Sequence, residues 1–398
     1  LWQAGEATRG IRVCDASDKV VCPGFVDMHF PLREPGFEYK EDIESGTKAA
    51  ARGGFTSVAC MPNTMPVTDN SGTVDLIEHR SRQVGSVNVF PIGAASLGMK
   101  GEDMANIGEL VEAGAVAVSD DGFPVQNNYV MRRILEYASM FGISFISHPE
   151  DTNLSAGGLM HEGYYSNLLG LKGIPAASEE IAISTDIILG EMTGTPIHIA
   201  HVSTAGGVRM IRSAKERGVK ITAEATPHHF SLTDASLVSY DTNFKMKPPL
   251  RSEADVEAVK DGLKDGTLDC IATDHAPHSE NEKEVEFDKA PFGVIGLETA
   301  IPVTLDKLYH TGILSLTQIV EKLSLNPAGI LRLESKGSLK EGCDGDVTIL
   351  DPEKEVEINP REFASKSRNT PFTAWKLKGA SIATIVSGKI VFDAIAQP

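Results

Sequence analysis

The stretch NYVMRRILEYASMFG–ISFISHPE (128–150) joins a helix pattern to a strand pattern. Its first part has apolar residues at helical spacing and ends in Gly142, a residue type that commonly closes a helix. Its second part is a short apolar run ending in polar residues, of which His148 is the first with metal-binding chemistry. The stretch therefore predicts one helix-to-strand step of an alternating α/β fold.

Seven further runs have the same character. They are PGFVDMH (23–29), FTSVACMPN (55–63), VNVFPIG (87–93), AVAVSDDG (115–122), PIHIAHVS (196–203), VKITAEATPHH (219–229) and DCIATDHAPH (269–278). Eight strand-then-helix units over about 300 residues predict a (β/α)8 TIM barrel. A doubly wound sheet is the alternative α/β fold, but it normally carries a glycine-rich phosphate turn after its first strand, and this sequence has none there.

The two ends of the chain differ from the middle. From about residue 335 the sequence alternates like strands separated by Gly and Asp-Pro turns, and residues 1–22 have the same character. We therefore expect a barrel over 23–334 and one small β domain built from 1–22 and 335–398. Because the chain begins at Leu1, we expect the first part of that small domain to be short.

The charge and the apolar pattern narrow the possible partners. The net charge of −18 argues against nucleic acid and against an anionic membrane surface, since both require a basic face. No apolar stretch is long enough to span a bilayer, and the five cysteines show no CxxC pairing. These features predict a cytoplasmic protein that acts on a small molecule.

Polar residues end most of the predicted strands. In a barrel of this kind, active-site groups collect at the carboxyl ends of the strands. The strand-end residues are His29, Asn63, Asp120-Asp121, His148, His201, Asp274 and His278. His198 shares a run with His201, but a spacing of three residues turns the two side chains to opposite faces, and we favour His201 for the site. Mixed nitrogen and oxygen ligands of this type suit Zn²⁺ or a similar divalent ion.

Several ordered motifs resemble those of a known family. They are PGFVDMH followed by LREPG, GGFTSVACMPNT, SDDG, ISHPED, IAHVST, PPLR, ATDHAPH and FGVIGLETA. Together they resemble dihydroorotases of the amidohydrolase superfamily, in the type I (multifunctional-type) branch. The resemblance extends from about residue 20 to 392 and implies a barrel with a small β-sandwich formed by both ends. It also implies reversible cyclisation of N-carbamoyl-L-aspartate to L-dihydroorotate in pyrimidine biosynthesis.

The resemblance assigns roles to the metal-binding residues. Asp121 would bridge two metal positions, His148 and His201 would complete one of them, and His29 and Asp274 would complete the other. Asp274 would also be the general base that carries a proton to the leaving nitrogen.

The resemblance also implies how the substrate is bound. Arg33 and Asn63, with His278, would hold the substrate carboxylate, which a planar guanidinium matches well. Phe292 and Gly293 would contact the ring through their backbone. The polar segment 279–289 would be either a mobile loop over the site or an ordinary solvated loop.

Two positions depart from the family pattern. The family motif is His-x-His, and here it reads His29-Phe30-Pro31, so the metal position that uses His29 and Asp274 loses a ligand. We expect one or two Zn²⁺ ions, with that position weakened and the activity reduced. The asparagine that usually precedes PPLR is replaced by Lys247, whose cation could still meet a substrate carboxylate.

Three functions compete. The first is an active dihydroorotase, which we favour because most site residues are present. The second is a catalytically impaired subunit that scaffolds aspartate transcarbamoylase, since lost metal ligands are typical of such partners. The third is a hydantoinase or allantoinase, but these generally bridge their metals with a carboxylated lysine, and AVAVSDDG contains no lysine. A homo-oligomer is expected in each case.

Overall fold

The structure is a computed structural model that describes residues 14–395. Fourteen strands lie in this part of the chain: β1 (Val20–Pro23), β2 (Phe25–Phe30), β3 (Phe55–Cys60), β4 (Asn88–Ala94), β5 (Ala117–Ser119), β6 (Ser144–Ser147), β7 (Met160–His161), β8 (Gly173–Ile174), β9 (Ile197–Ile199), β10 (Ile221–Ala225), β11 (Cys270–Ile271), β12 (Val347–Glu357), β13 (Lys376–Val386) and β14 (Lys389–Asp393).

The helices of the same residues lie mostly between these strands. They are α1 (Ile43–Gly53), α2 (Ser71–Val84), α3 (Ile107–Glu112), α4 (Asn128–Phe141), α5 (Thr152–Ser155), α6 (Tyr164–Leu169), α7 (Ala176–Thr193), α8 (Ala205–Glu216), α9 (Glu253–Asp265), α10 (Glu280–Lys283), α11 (Ala300–Thr304), α12 (Leu316–Val320) and α13 (Asn326–Ile330). A π-helical turn at Leu305–Tyr309 continues α11, and another at Glu321–Leu325 joins α12 to α13.

Eight strands form one parallel sheet in the order β11-β10-β9-β6-β5-β4-β3-β2. Each of the eight runs identified in the sequence contains one of these strands, and a helix follows most of them on the outside. The prediction of a (β/α)8 barrel is therefore confirmed. Most strands are shorter than their runs, because the last residues of those runs leave the sheet and form loops at its carboxyl end, whereas β2 and β4 extend one residue beyond their runs.

Side chains close the barrel between its first and last strands. Among residues 14–395 no backbone ladder joins β2 to β11. Instead, Asp27 on β2 accepts two hydrogen bonds from Thr273, at 3.0 Å from the backbone nitrogen and 2.6 Å from the hydroxyl. Asp27 is fully buried, and burial raises its pKa to about 6 although the bonds from Thr273 oppose that rise. This contact also fixes the backbone next to Asp274.

The barrel has a small inner core and a larger outer one. Side chains such as Val26, Met28, Ile92 and Ile146 fill the inside of the barrel. The outer core lies between the strands and the surrounding helices and includes Phe25 and Phe55 with apolar faces of the helices. Cys60 and Cys270 are buried, as expected for small core residues.

The strands from the two ends of the chain form a second sheet, antiparallel, in the order β1-β12-β13-β14. Its residues bond to the region of α1: Thr384 donates to the carbonyl of Ala51 at 2.7 Å, and Thr348 donates to that of Gly54 at 2.6 Å. The resemblance implied a β-sandwich, whereas residues 14–395 hold one four-stranded sheet at this end. Its inner face packs on barrel helices, so the barrel takes the place of a second sheet. The expectation for residues 1–13 lies outside the described residues.

None of the described helices combines the length and the apolar content that a membrane crossing requires.

The closure of the barrel yields a test of stability. Thr273→Val keeps the side-chain shape but removes the hydroxyl that donates to buried Asp27. We expect the free energy of unfolding to fall by about 1–3 kcal/mol, the cost of leaving a buried acceptor short of a partner. Urea denaturation measures this change. Thr311→Val is the matched control, because exposed Thr311, in the turn after Tyr309, donates to the nearby carbonyl of Lys307, and we expect a change within about 0.5 kcal/mol. Equal losses in the two variants would contradict a closing role for Thr273.

Candidate metal centre and active-site cavity

A cavity of about 380 Å³ opens at the carboxyl ends of the barrel strands. It is lined by Pro31, Arg33, Phe37, Lys40, Asn63, Asp121, Gly122, Phe123, His148, His201, Lys247, Asp274, Ala276, His278, Phe292 and Gly293. Ten of these are residues to which the sequence analysis assigned a metal or substrate role. The eleventh such residue, His29, is fully buried beneath the cavity floor.

Asp121 lies at the centre of three histidines. Its Oδ1 is 3.2 Å from His29 Nε2, 3.3 Å from His148 Nδ1 and 3.8 Å from His201 Nε2. The ligand atoms of His29, Asp121 and His201 all lie within 4.8 Å of one another. The resemblance implied two metal positions, with His201 in one and His29 in the other. This compact group therefore includes one histidine of each position.

The two other predicted ligands adjoin this group. Asp274 Oδ1 is 3.6 Å from His29 Nε2, and His148 Nδ1 is 2.9 Å from His201 Nε2. All five predicted metal ligands therefore meet at one place. His198 is absent from the cavity lining, because its ring turns to Glu224 inside the barrel wall.

The backbone at the strand ends is unusual. Arg33, His201 and Asp274 have φ values of 66°, 34° and 45°, in the left-handed region that residues with a side chain seldom adopt. The pairing of β2 with β3 also slips between Asp27 and Phe30, and His29 lies in that irregular stretch. Strained backbone and bulges cluster where a side chain must be aimed at a site.

Charge balance explains the protonation of this group. Burial alone would raise the pKa of Asp121, but the three histidines lower it well below its usual value. Burial has the opposite effect on a histidine and by itself would lower the pKa of His148. The carboxylates of Asp121 and Glu150 instead raise this pKa to about 9. Burial, aided by the neighbouring histidines, lowers the pKa of His201 to about 4. A carboxylate buried this deeply needs partners, and the histidines around Asp121 supply them, His201 as a neutral imidazole.

The donor set fits a divalent cation. His29 Nε2 is buried without a hydrogen-bond partner, and its 3.2 Å approach to Asp121 is not aligned as a hydrogen bond. Unpartnered buried nitrogens are costly unless something else meets them. Imidazole nitrogens and carboxylate oxygens at this spacing are ligands that Zn²⁺ and similar ions accept.

Lys247 lines the cavity but already has a partner. Its Nζ is 2.6 Å from Glu150 Oε1, and Glu150 Oε2 is 3.2 Å from His148 Nε2. Burial would raise the pKa of Glu150, but His148 and Lys247 lower it to about 2. Lys247 thus contacts the metal centre through Glu150 and His148.

The opposite wall carries the predicted substrate-binding groups. Arg33 Nε donates to the carbonyl of Pro277 at 3.2 Å, and His278 Nε2 is 2.9 Å from the carbonyl of Phe292. Asn63 Nδ2 donates to Asp121 Oδ2 at 3.3 Å, while its Oδ1 is buried without a partner. These contacts fix the side chains around the cavity and tie Asn63 to the metal centre.

The segment 279–289 packs against the rim of the cavity. Lys283 is buried there, and its Nζ donates to the carbonyls of Pro291 and Gly293 at 3.0 Å each. Lys40 pairs with Glu282 at 2.9 Å. The segment thereby holds Phe292 and Gly293 in the cavity wall.

The sequence analysis gave no role to three charged residues at or behind the cavity, namely Lys40, Glu150 and Glu224. Lys40 stands in no motif, and only folding brings it to the cavity. Glu150 and Glu224 did give a signal, since each is an acid inside or next to an apolar strand run, where a charge needs a buried partner.

Comparisons with known proteins show the family of this chain. The family model of dihydro-orotase-like proteins matches residues 18–206, and that of the amidohydrolase family matches residues 308–392. The chain is 58% identical to a dihydroorotase of Pelotomaculum thermopropionicum over 386 residues, which cover 97% of this chain and 90% of that protein. This chain belongs to the dihydroorotase family. A dihydroorotase of Geobacter sp. strain M21 is 53% identical, with 99% of this chain and 92% of the relative covered.

Solved structures share the fold. The L-hydantoinase from Arthrobacter aurescens superposes with a TM-score of 0.89 at 25% identity, covering 98% of this chain and 89% of that one. The dihydropyrimidinase from Brevibacillus agri has a TM-score of 0.84 at 21% identity, with 98% and 88% covered. The dihydroorotase chain thus has the amidohydrolase barrel with a separate antiparallel sheet.

Two adjacent aspartates provide a test of the metal centre. Asp121→Asn removes the charge that faces three histidines, so we expect affinity for Zn²⁺ to fall by more than the ~10–100-fold typical of residues behind the ligands. Competition with a chromophoric chelator measures this affinity.

Asp120→Asn is the matched control. The Asp120 carboxylate turns away from the cavity and accepts from the backbone nitrogens of Ala95 and Ser96 at 2.8 and 3.1 Å. We expect this variant to lose stability but to keep its Zn²⁺ affinity. A larger loss of affinity in the Asp120 variant than in the Asp121 variant would show that the centre is wrongly assigned.

Proposed function

We propose that this chain is a metal-dependent dihydroorotase of the type I branch, which reversibly cyclises N-carbamoyl-L-aspartate to L-dihydroorotate. The observation that carries the proposal is the Asp121 carboxylate within 3.2–3.8 Å of nitrogens of three histidines, in a cavity that Arg33 also lines. Relatives named dihydroorotase at 53–58% identity over nearly the whole chain support it.

Five residues would hold Zn²⁺. Asp121, His148 and His201 would form one position, and His29 and Asp274 would complete a second that shares Asp121. When bound, a divalent ion supplies Lewis-acid polarisation of the reacting carbonyl and a lowered pKa for water. We propose zinc because nitrogen and carboxylate ligands together suit it.

Asp274 is proposed as the general acid–base group. Burial raises the pKa of its carboxyl, against the opposing effect of nearby His29. A carboxyl with a raised pKa can accept a proton and return it near neutral pH. In ring opening Asp274 would deliver a proton to the leaving amide nitrogen, and in ring closure it would take the proton back.

The other cavity residues would bind and orient the substrate. Arg33, Asn63 and His278 would hold its carboxylate, and Lys247 would add a cation once its pairing with Glu150 loosens. The backbone of Phe292 and Gly293 would contact the ring, held in place by the buried ammonium of Lys283. Orientation of this kind turns ring closure into a step between prealigned groups.

A hydantoinase or allantoinase is the less favoured function. Hydantoinase and dihydropyrimidinase structures share the fold at 21–25% identity, which says little about substrate. The bridging position carries Asp121 rather than a lysine, in agreement with the type I branch.

Pro31 favours the second candidate function, a subunit that scaffolds aspartate transcarbamoylase. Pro31 lines the cavity where a histidine would add a ligand, so the position built on His29 and Asp274 is proposed to bind its ion weakly and to reduce activity. We still favour the enzyme, because the remaining ligands and Arg33 converge on one cavity.

Other features are proposed on sequence grounds. We propose that residues 1–22 and 335–398 form one small β domain beside a barrel of 23–334. The acidic net charge of −18 supports a cytoplasmic protein that binds neither nucleic acid nor membrane. A homo-oligomer, with or without aspartate transcarbamoylase, is the proposed assembly.

Turnover of L-dihydroorotate by the purified chain tests the function. We expect metal-dependent turnover that chelation abolishes and added Zn²⁺ restores, without any partner. The assay is repeated with aspartate transcarbamoylase and with hydantoin. No turnover of L-dihydroorotate under any of these conditions would favour the scaffold function, and turnover of hydantoin alone would favour a hydantoinase.

Restoring the missing ligand tests the role of Pro31. We expect Pro31→His to raise the affinity for a second Zn²⁺ by at least ~10–100-fold, because it adds a direct ligand where even indirect contacts have effects of that size. Metal analysis and chelator competition measure stoichiometry and affinity. Pro31→Ala is the control, since it removes the ring without adding a ligand. If both variants bind metal like the wild type, Pro31 does not weaken the site.

A further inference from the structure

One buried carboxylate behind the metal centre contacts three strand ends at once. Glu224 on β10 is fully buried, and both of its oxygens are used. Oε1 is 2.8 Å from His29 Nδ1 and accepts from the backbone nitrogen of His201 at 3.3 Å. Oε2 is 3.0 Å from His198 Nε2. Glu224 thus joins β2, β9 and β10 directly beneath the proposed ligands.

These contacts determine which nitrogen of His29 carries the proton. An ionised carboxylate only accepts hydrogen bonds, so His29 must donate through Nδ1–H. The Nε2 lone pair then points to the other side, where Asp121 Oδ1 lies at 3.2 Å and Asp274 Oδ1 at 3.6 Å. Nε2 is the nitrogen that is buried without a hydrogen-bond partner.

His198 completes the same chain of hydrogen bonds. Its Nε2–H donates to Glu224, which leaves Nδ1 to accept from the Thr222 hydroxyl at 2.9 Å. Glu224 thus has partners on both oxygens, with Oε1 towards His29 and the His201 backbone and Oε2 towards His198. Each hydrogen bond in this network therefore has one donor and one acceptor.

We propose that Glu224, supported by His198, is the positioning residue of His29, holding the imidazole with its Nε2 lone pair towards Asp121 and Asp274. The sequence makes this support critical, because Pro31 leaves His29 as the only imidazole that the end of β2 contributes. This inference rests on the proposed metal site but not on the proposed substrate.

Glu224→Gln tests the inference with little change in shape. A glutamine can turn its oxygen to His29, or it can turn its NH2 group there and force His29 to accept at Nδ1, which moves the proton to Nε2 and blocks that nitrogen. We expect the affinity for Zn²⁺ to fall by ~10–100-fold, as is typical when the partner behind a ligating histidine is lost.

Glu298→Gln is the matched control. The Glu298 carboxylate is buried, accepts from the backbone nitrogens of Ala364 and Ser365 and pairs with Arg52 at 3.3 Å, and Glu298 does not line the cavity. It controls for the general effect of removing one buried charge. We expect its Zn²⁺ affinity to match that of the wild type.

The spectroscopic readout uses ¹⁵N-histidine-labelled, Zn²⁺-loaded protein. In the wild type we expect a His29 Nδ1–H proton shifted far downfield and exchanging slowly with water, identified by its absence from His29→Gln. In Glu224→Gln this proton should exchange rapidly. Zn²⁺ bound through Nδ1 of His29 in the wild type would overturn the proposal, even if Glu224→Gln did not fold.

Combination with Pro31→His separates positioning from a general loss of stability. With a second imidazole on β2, the Glu224→Gln change should reduce Zn²⁺ affinity less than it does beside Pro31. An equal loss in both backgrounds would overturn the special role of Glu224 here. These measurements need no substrate, so their failure is distinct from a failure to turn over L-dihydroorotate.

Discussion

The buried negative charge of Asp121 is the constraint on which the site depends. A carboxylate at the mouth of a barrel, cut off from water, is stable only with cations or strong donors around it. Here His29, His148 and His201 supply them from three different strands. Those imidazoles need buried partners of their own, which Glu224 and Glu150 provide. The site is therefore two layers of alternating charge, with Asp121 in front and two glutamates behind.

This arrangement bears on Pro31, which lines the cavity where the proposed metal position would have one ligand fewer. A metal position with one ligand fewer depends more on the orientation of those that remain. The strained backbone at His201 and Asp274 and the irregular pairing of β2 near His29 aim the remaining groups inward. Asp27 adds to this by closing the barrel through Thr273, the residue before Asp274. Fold stability and ligand placement thus use the same contacts.

Much of this could be predicted from local sequence patterns. Apolar runs ending in His29, Asp121, His148, His201 and Asp274 indicated both the barrel and the place where these groups meet, because parallel strands all end at the same face. The choice of His201 over His198 followed from alternation along a strand. The small β domain was also predicted from strand patterns at both ends of the chain, whereas the packing of its sheet on barrel helices required the tertiary structure.

The sequence by itself determined the order of strands and helices and the identity of the groups at the strand ends, because these depend on periodicity and on residue type. Only the tertiary structure decided which charged side chains pair with one another. Lys247 pairs with Glu150, Glu224 holds His29, and Lys40 reaches the rim from outside every motif. His29 and Glu224, for example, are 195 positions apart. Closure of the barrel decides which acidic residue pairs with which basic residue. The reason is that a buried charge is costly without a partner nearby.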